Sequence, residues 1–306
     1  MNYKTAITML TYIGLLSLIS YPTNAAIFFT DSFESGDMSA TNSDGFLWGP
    51  NQNTSVVKQD PTNGPTETYN NGVKSIIYSS TMPDGSTRNW TANDKQHSLR
   101  FHYPKGEEWT EQWFGLNKQH TDIWIGYWIR VPTNFSYGTS ASRSNNKFFS
   151  LWMDGYSSKG AGSTIWLGME PHNTTGATLG FTFSTGNNRV AEGFRQHTPF
   201  ISTADRGRWM HLVLHVKAES TEDANDGVIQ TYRRWKDEEG YTKLHETLDA
   251  PLRIPNSGAG FKEGYILGWA NRPYDEDTEW LLDNFTASTT SLLTDRPTPP
   301  EPLTVE

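Results

Sequence analysis

GFKEGYILGWANRPYDEDTEWLLDNFTAS, residues 260–288, is the stretch on which the reading of this chain turns. Tyr265, Leu267, Trp269 and Asn271 alternate with Gly264, Ile266, Gly268 and Ala270, so a strand here carries stacking and hydrogen-bonding groups on one face and small or apolar ones on the other. The acidic turn 274–279 leads into Trp280-Leu-Leu-Asp-Asn-Phe285, the returning strand of an antiparallel pair. A sugar-binding surface needs that mixture of rings and amides.

The same two-residue period recurs outward along the chain and predicts strands at 27–33, 98–103, 111–117, 123–131, 147–153, 164–172, 179–184, 209–217 and 228–236, with no sustained helical period. So many short strands mean an all-β sandwich or barrel. Leu99, Phe101 and Tyr103 face the core while Arg100 and His102 point away; Ile165, Leu167 and Met169 face it while Trp166, Glu170 and His172 do not. Met210, Leu212, Leu214 and Val216 alternate with His211, His215 and Lys217, which marks a sheet with one wet face and places this strand in the outer sheet. The turn-rich segment 51–71 reads as a loop.

Lys4 ahead of an apolar run at 6–19, with small residues at 23–25, reads as a signal peptide over 1–25. The expected organisation is that peptide, one β domain over 26–288 and a proline-rich tail over 289–306, in a monomer that is secreted or periplasmic. No stretch has the roughly 20 apolar residues of a membrane span. The chain has no cysteine, which excludes disulfides, thiol chemistry and cysteine-bound zinc. Its formal net charge of -9 argues against a nucleic-acid partner. Twelve tryptophans, 13 tyrosines and 15 phenylalanines exceed what a core alone asks for, and they suit a carbohydrate partner. Trp152, Trp166 and Trp269 are the candidates for stacking on sugar.

FTDSFESGD from Phe29, SLRFHY from Ser98, NNKFFSLW from Asn145, GRWMHLVLHVK from Gly207 and FKEGYILGWAN with its LLDNFTAS return resemble concanavalin A-like jelly-roll domains, and among them the polysaccharide lyases that act on alginate, glucuronan and heparin. The resemblance covers nearly the whole chain after residue 25. It implies a β-sandwich of two antiparallel sheets with a polysaccharide, anionic in character, in its concave groove. Alginate lyases of this fold carry Arg-Ser/Thr-Glu-Leu-Arg, Gln-Ile/Val-His and Tyr-Phe-Lys-Ala-Gly strands. Here Ser98-Leu-Arg-Phe-His102 keeps one arginine, Ser150-Leu-Trp152 stands at the second place, and Phe261-Lys-Glu-Gly-Tyr265 keeps Phe-Lys-x-Gly.

β-Elimination from a uronate needs a cation or amide on the carboxylate, a base for the C5 proton and an acid for the departing oxygen. The expected machinery is Tyr265 as base or acid, His102 as its partner, and Arg100, Asn271 or Lys147 on the carboxylate, with Arg100 favouring the phenolate of Tyr265. Lys147, Trp152, Trp166, Glu170, His172, Trp269 and Glu111 are expected to bind substrate. A lectin-like module needs only the rings and amides. A glycoside hydrolase needs two carboxylates about 5 to 10 Å apart, and Glu111 with Glu170 is the best pair on offer. The chemistry requires no cofactor. Glu34 near the first strand and Asp283 near the last are expected to share a structural calcium ion, as the resemblance implies.

Overall fold

The computed structural model describes residues 27–58, 97–136, 146–153, 155–156, 164–172, 176–184, 198–221, 224–236, 238–252 and 260–293, with four three-residue strands between 66 and 89. The segment 1–25, expected as a signal peptide, lies outside the described residues, as does the expected tail from 294. In chain order the strands begin β1 (Ile27–Asp31), β2 (Leu47–Gln52) and β3 (Thr54–Lys58). The short β4 (Thr66–Thr68), β5 (Lys74–Ile76), β6 (Ser79–Thr81) and β7 (Thr87–Asn89) form two hairpins. Then come β8 (His97–Tyr103), β9 (Trp109–His120), β10 (Asp122–Arg130), β11 (Asn146–Trp152), β12 (Thr164–His172), β13 (Gly176–Ser184) and β14 (Thr198–Ser202). The last five are β15 (Trp209–Lys217), β16 (Gly227–Trp235), β17 (Thr242–Ala250), β18 (Phe261–Trp269) and β19 (Thr278–Ser288).

They build an antiparallel β-sandwich. One sheet of eight strands runs β17-β16-β15-β10-β19-β8-β3, with β1 pairing β19 as well; the other, of seven, runs β14-β13-β12-β11-β18-β9-β2. First and last strands thus lie side by side, while β18 and β19, expected as an antiparallel pair, do not pair: the turn between them crosses from one sheet to the other. The segment 51–71, expected as a loop, holds β3, β4 and part of β2. The pattern hid the edge strand β17, whose polar residues on both sides leave no period to read.

The core fills the space between the sheets with aromatic rings. Phe114 and Phe149 from the seven-stranded sheet meet Phe285 and Tyr127 from the eight-stranded one at centroid separations of 5.4 and 6.1 Å. Each ring of this kind contributes about 1.5–3 kcal/mol by leaving water. The expected inward residues Leu99, Phe101, Tyr103, Ile165, Leu167, Met169, Met210, Leu212, Leu214 and Val216 are all buried.

One local break in the alternation shapes the outer face of the seven-stranded sheet. Ile266 pairs with Phe149 and Ala270 bridges Asn146, so β18 spends one residue more than β11 between the same rungs. That bulge sits at Leu267, with φ +56°, and Gly268, with φ +140°. A left-handed leucine costs about 1–2 kcal/mol, offset by what the bulge achieves, since it turns Leu267 into the core. The expectation that Leu267 shares a face with Tyr265 and Trp269 is therefore corrected. The Gly268 carbonyl, displaced from the ladder, accepts a 2.8 Å hydrogen bond from the Tyr103 hydroxyl of the opposite sheet.

Candidate functional site

Residues from β9, β18, β11 and β12 gather on the outer face of the seven-stranded sheet. The register aligns Trp113, Tyr265, Ser150 and Trp166 in one row across it, and Glu263 and Trp152 in the next. Trp113 lies 5.0 Å from Trp152 and 6.0 Å from Tyr156, centroid to centroid, while Tyr156 lies 5.1 Å from Trp152 and 5.5 Å from Tyr265. The Trp152 indole donates to Glu263 at 2.9 Å and the Trp113 indole donates to Glu111. Each of these two indole N–H groups therefore has a carboxylate to hold its ring plane.

A chain of three polar groups crosses the cluster. Lys147 Nζ donates to the Tyr156 hydroxyl at 2.8 Å, and that hydroxyl lies 3.1 Å from the hydroxyl of Tyr265. The ammonium also sits 5.4 Å and 5.8 Å from the centroids of the two tyrosine rings, within cation–π range. Tyr265 is 0% exposed, whereas Lys147 and Tyr156 are half-buried and open to solvent. Burial, then Tyr156 and Glu111, push the Tyr265 phenol far above its ordinary value, against a smaller opposing effect of Ser150. It holds its proton.

Glu111 lies under the same cluster and is 6% exposed. Burial pushes its carboxyl above the ordinary range, while the Trp113 indole, the Lys147 charge and a hydrogen bond from the Trp109 side chain pull the other way. Only a glycine fits opposite it: a Cβ at Gly268 would stand 2.9 Å from Glu111 Oε2, 3.2 Å from Lys147 Cβ and 3.3 Å from Tyr265 Cε2. The bulge is thus the floor on which Glu111, Lys147 and Tyr265 approach one another.

The structure brings together Tyr265, Lys147, Trp152, Trp166 and Glu111, with Trp269 and Glu170 further out on the same face. It does not bring Arg100 or His102 there. Both lie on β8, in the eight-stranded sheet, where Arg100 meets Glu279 at 3.3 Å and Ser55 at 3.1 Å. His102 Nδ1 is 3.3 Å from Glu279 without hydrogen-bond geometry, and burial followed by the Arg100 charge lowers its pKa. The expectation that Arg100 would favour the phenolate of Tyr265 is corrected by that separation. Asn271 lies exposed beyond the end of β18, and His172 closes β12 with its side chain outside the described residues.

Glu111 and Glu170 sit on β9 and β12, three strand spacings apart, or roughly 14 Å across the sheet. That exceeds the spacing a hydrolase pair uses. Glu34 gives one oxygen to the His97 backbone N–H at 2.9 Å and the other to the His97 ring at 3.1 Å, while Asp283 is fully buried. Among the described residues no three His, Asp or Glu side chains are arranged to hold a metal ion. A cavity of about 560 Å³ lies over the eight-stranded sheet, lined by Asp31, Glu34, Trp128, His211 and Asn284, and shares no residue with the Tyr265 cluster.

Three members of the cluster were missed from the sequence. Trp109 and Trp113 lie two residues either side of Glu111, so extending that strand's period would have found them. Tyr156 sits in a segment with no period at all.

No family model and no curated protein sequence matches the chain. Among solved structures, a variant of the alginate lyase Aly36B in complex with an alginate trisaccharide has a TM-score of 0.50 at 11% identity, covering 78% of this chain and 99% of its own. An endo-β-1,4-glucuronan lyase from the fungus Trichoderma reesei has a TM-score of 0.48 at 13% identity, covering 87% and 96%. At this identity the likeness is one of fold. The chain is a jelly-roll β-sandwich of the kind found in that alginate lyase.

Proposed function

We propose that this protein is an exported polysaccharide lyase that cleaves a uronate-containing polymer by β-elimination on the outer face of its seven-stranded sheet. The observation that carries the reading is the Lys147–Tyr156–Tyr265 chain, set among tryptophans on one open sheet face. The likeness in fold to an alginate lyase supports it by analogy only.

In this reading Tyr156 reacts as the phenolate: its oxygen takes the C5 proton of the uronate and then gives that proton to the departing glycosidic oxygen, which restores the phenolate. The C4–O bond breaks as a C4=C5 double bond forms. Lys147, the one cation of the cluster among the described residues, favours the phenolate before the transfer and holds the negative charge that then develops on the uronate carboxylate. Tyr265 keeps its proton and fixes the Tyr156 oxygen from beneath, while the half-buried Trp113 and Trp166 border the sugar; Trp152, expected to stack on it, is 0% exposed and packs beneath them instead. The sequence-based assignment of Tyr265 as base moves to Tyr156 because burial opposes a Tyr265 phenolate.

The test is ultraviolet absorbance during incubation with alginate, glucuronan, heparin-type, ulvan and pectic polymers, since elimination leaves an absorbing unsaturated uronate. A rise that Tyr156→Phe abolishes is the expected result. New reducing ends without absorbance would mean hydrolysis, and binding with neither signal would mean a lectin-like module; either overturns the lyase.

A further inference from the structure

We propose that Trp109 and Trp269 form an aromatic subsite for one pyranose ring at the end of the β18 face beyond Tyr265, held in place by Glu111. The proposal rests on the reading that this face binds a polysaccharide. The two residues are direct partners across β9 and β18, with ring centroids 6.3 Å apart and planes inclined by 46°. They are 43% and 41% exposed, the two most exposed tryptophans of the described chain, and they stand side by side.

Exposed apolar residues scattered singly are ordinary and need no explanation. These two differ because their position is built. The Leu267–Gly268 bulge keeps Trp269 on the face of Tyr265 while turning the residue between them inward. The Trp109 side chain hydrogen-bonds Glu111, which also accepts from the Trp113 indole, so one carboxylate ties the exposed pair to the reaction cluster. With its polar edge held inward, the Trp109 ring is left to offer apolar surface outward. The occupant that fits is a sugar ring, whose C–H face packs on an indole while its hydroxyls stay in water. Three residues of β18 lie between Tyr265 and Trp269, and with one of them spent on the bulge the offset is roughly 10–13 Å along the strand, so the pair grips a different sugar unit from the one that reacts.

That offset makes the effect depend on chain length. The experiment measures binding, by calorimetry, of short and long size-fractionated oligosaccharides of whichever polymer in the panel the protein binds. The proteins are the parent, Trp269→Ala, Trp109→Ala, Trp269→Phe and Glu111→Gln, each checked for folding by its thermal transition. Trp269→Ala and Trp109→Ala should weaken the long oligosaccharides by about five- to tenfold and the short ones by no more than about twofold, with Trp269→Phe recovering part of the loss. Glu111→Gln should weaken the long ones by about threefold and change the near-ultraviolet circular dichroism of the indoles, which a change in stability alone would leave as it is.

Equal losses on short and long chains, or none on either, overturn the subsite. Binding with the expected length dependence but no elimination product leaves the subsite standing and removes the lyase. Elimination with no length dependence does the reverse. A protein that binds and cleaves nothing in the panel removes both.

Discussion

The two outer faces of the sandwich carry similar residues and use them differently. On the eight-stranded sheet, polar groups are resolved into closed sets: Arg100 with Glu279 and Ser55, and His215 stacked on Trp124 at 3.9 Å with Asp122 and Gln230 each 2.9 Å from a ring nitrogen. On the seven-stranded sheet, an ammonium, two phenols and a buried carboxyl are packed among indoles, and burial raises the pKa of both Tyr265 and Glu111. Displaced pKa values occur on both faces, His211 among them on the first, so what sets the second apart is the joining of a cation, two phenols and a carboxyl in one cluster.

The sharpest way to break this contrast is Tyr156→Phe, which removes one oxygen from the crowded face. Turnover should fall by about a hundredfold or more while the thermal transition moves little, measured as product absorbance and by calorimetry. Survival of full activity would end the claim that the Lys147–Tyr156 contact is chemical.

Acid titration probes the opposite face next. His211 is buried, bonded to Tyr241 at 2.6 Å and close to Arg234, and burial then that charge bring its pKa down to about 3. The unfolded chain binds this proton near the ordinary histidine value of about 6.5, so the group costs stability progressively as pH falls from there toward 3. His211→Gln should flatten that part of the stability–pH curve, read from denaturant midpoints; an unchanged slope would show that the ring is not sealed.

Gly268→Ala tests the bulge beneath the crowded face. The φ of +140° and the 2.9 Å approach to Glu111 Oε2 both oppose a methyl group, and the variant should lose about 1–3 kcal/mol of unfolding free energy together with activity. Smallest of all, Arg100→Ala should change turnover by no more than about twofold and stability by at most about 1 kcal/mol, because its ion pair is half-exposed and on the other sheet. A large loss of turnover there would restore β8 to the site.

What was legible in the sequence was whatever depends on neighbours two residues away. The faces of β8, β12 and β15 came from alternation, and so did the placing of Tyr265 among the candidates, whereas Lys147 and Trp152 were named for what a cation and an indole can do. Which sheet a strand joins is decided by contacts far along the chain, and this is why Arg100 and His102 were expected beside Tyr265 when β9 holds that place. The turn of Leu267 into the core was hidden because leucine is not a residue that marks a left-handed backbone; the adjacent Gly268 was the only local hint. Tyr156 had no strand to be read from, and only the folded chain sets its hydroxyl against Lys147.

The hydrogen bond from Tyr103 to the Gly268 carbonyl works like a key in a keyway between the two layers. A slip of one rung between the sheets would draw it, and the bulge that aims Trp269 would lose its inner support. Alignment of the whole sandwich is therefore registered at the spot where the surface is most crowded. A substitution on β8, remote from any sugar, has a direct mechanical route to the orientation of that ring.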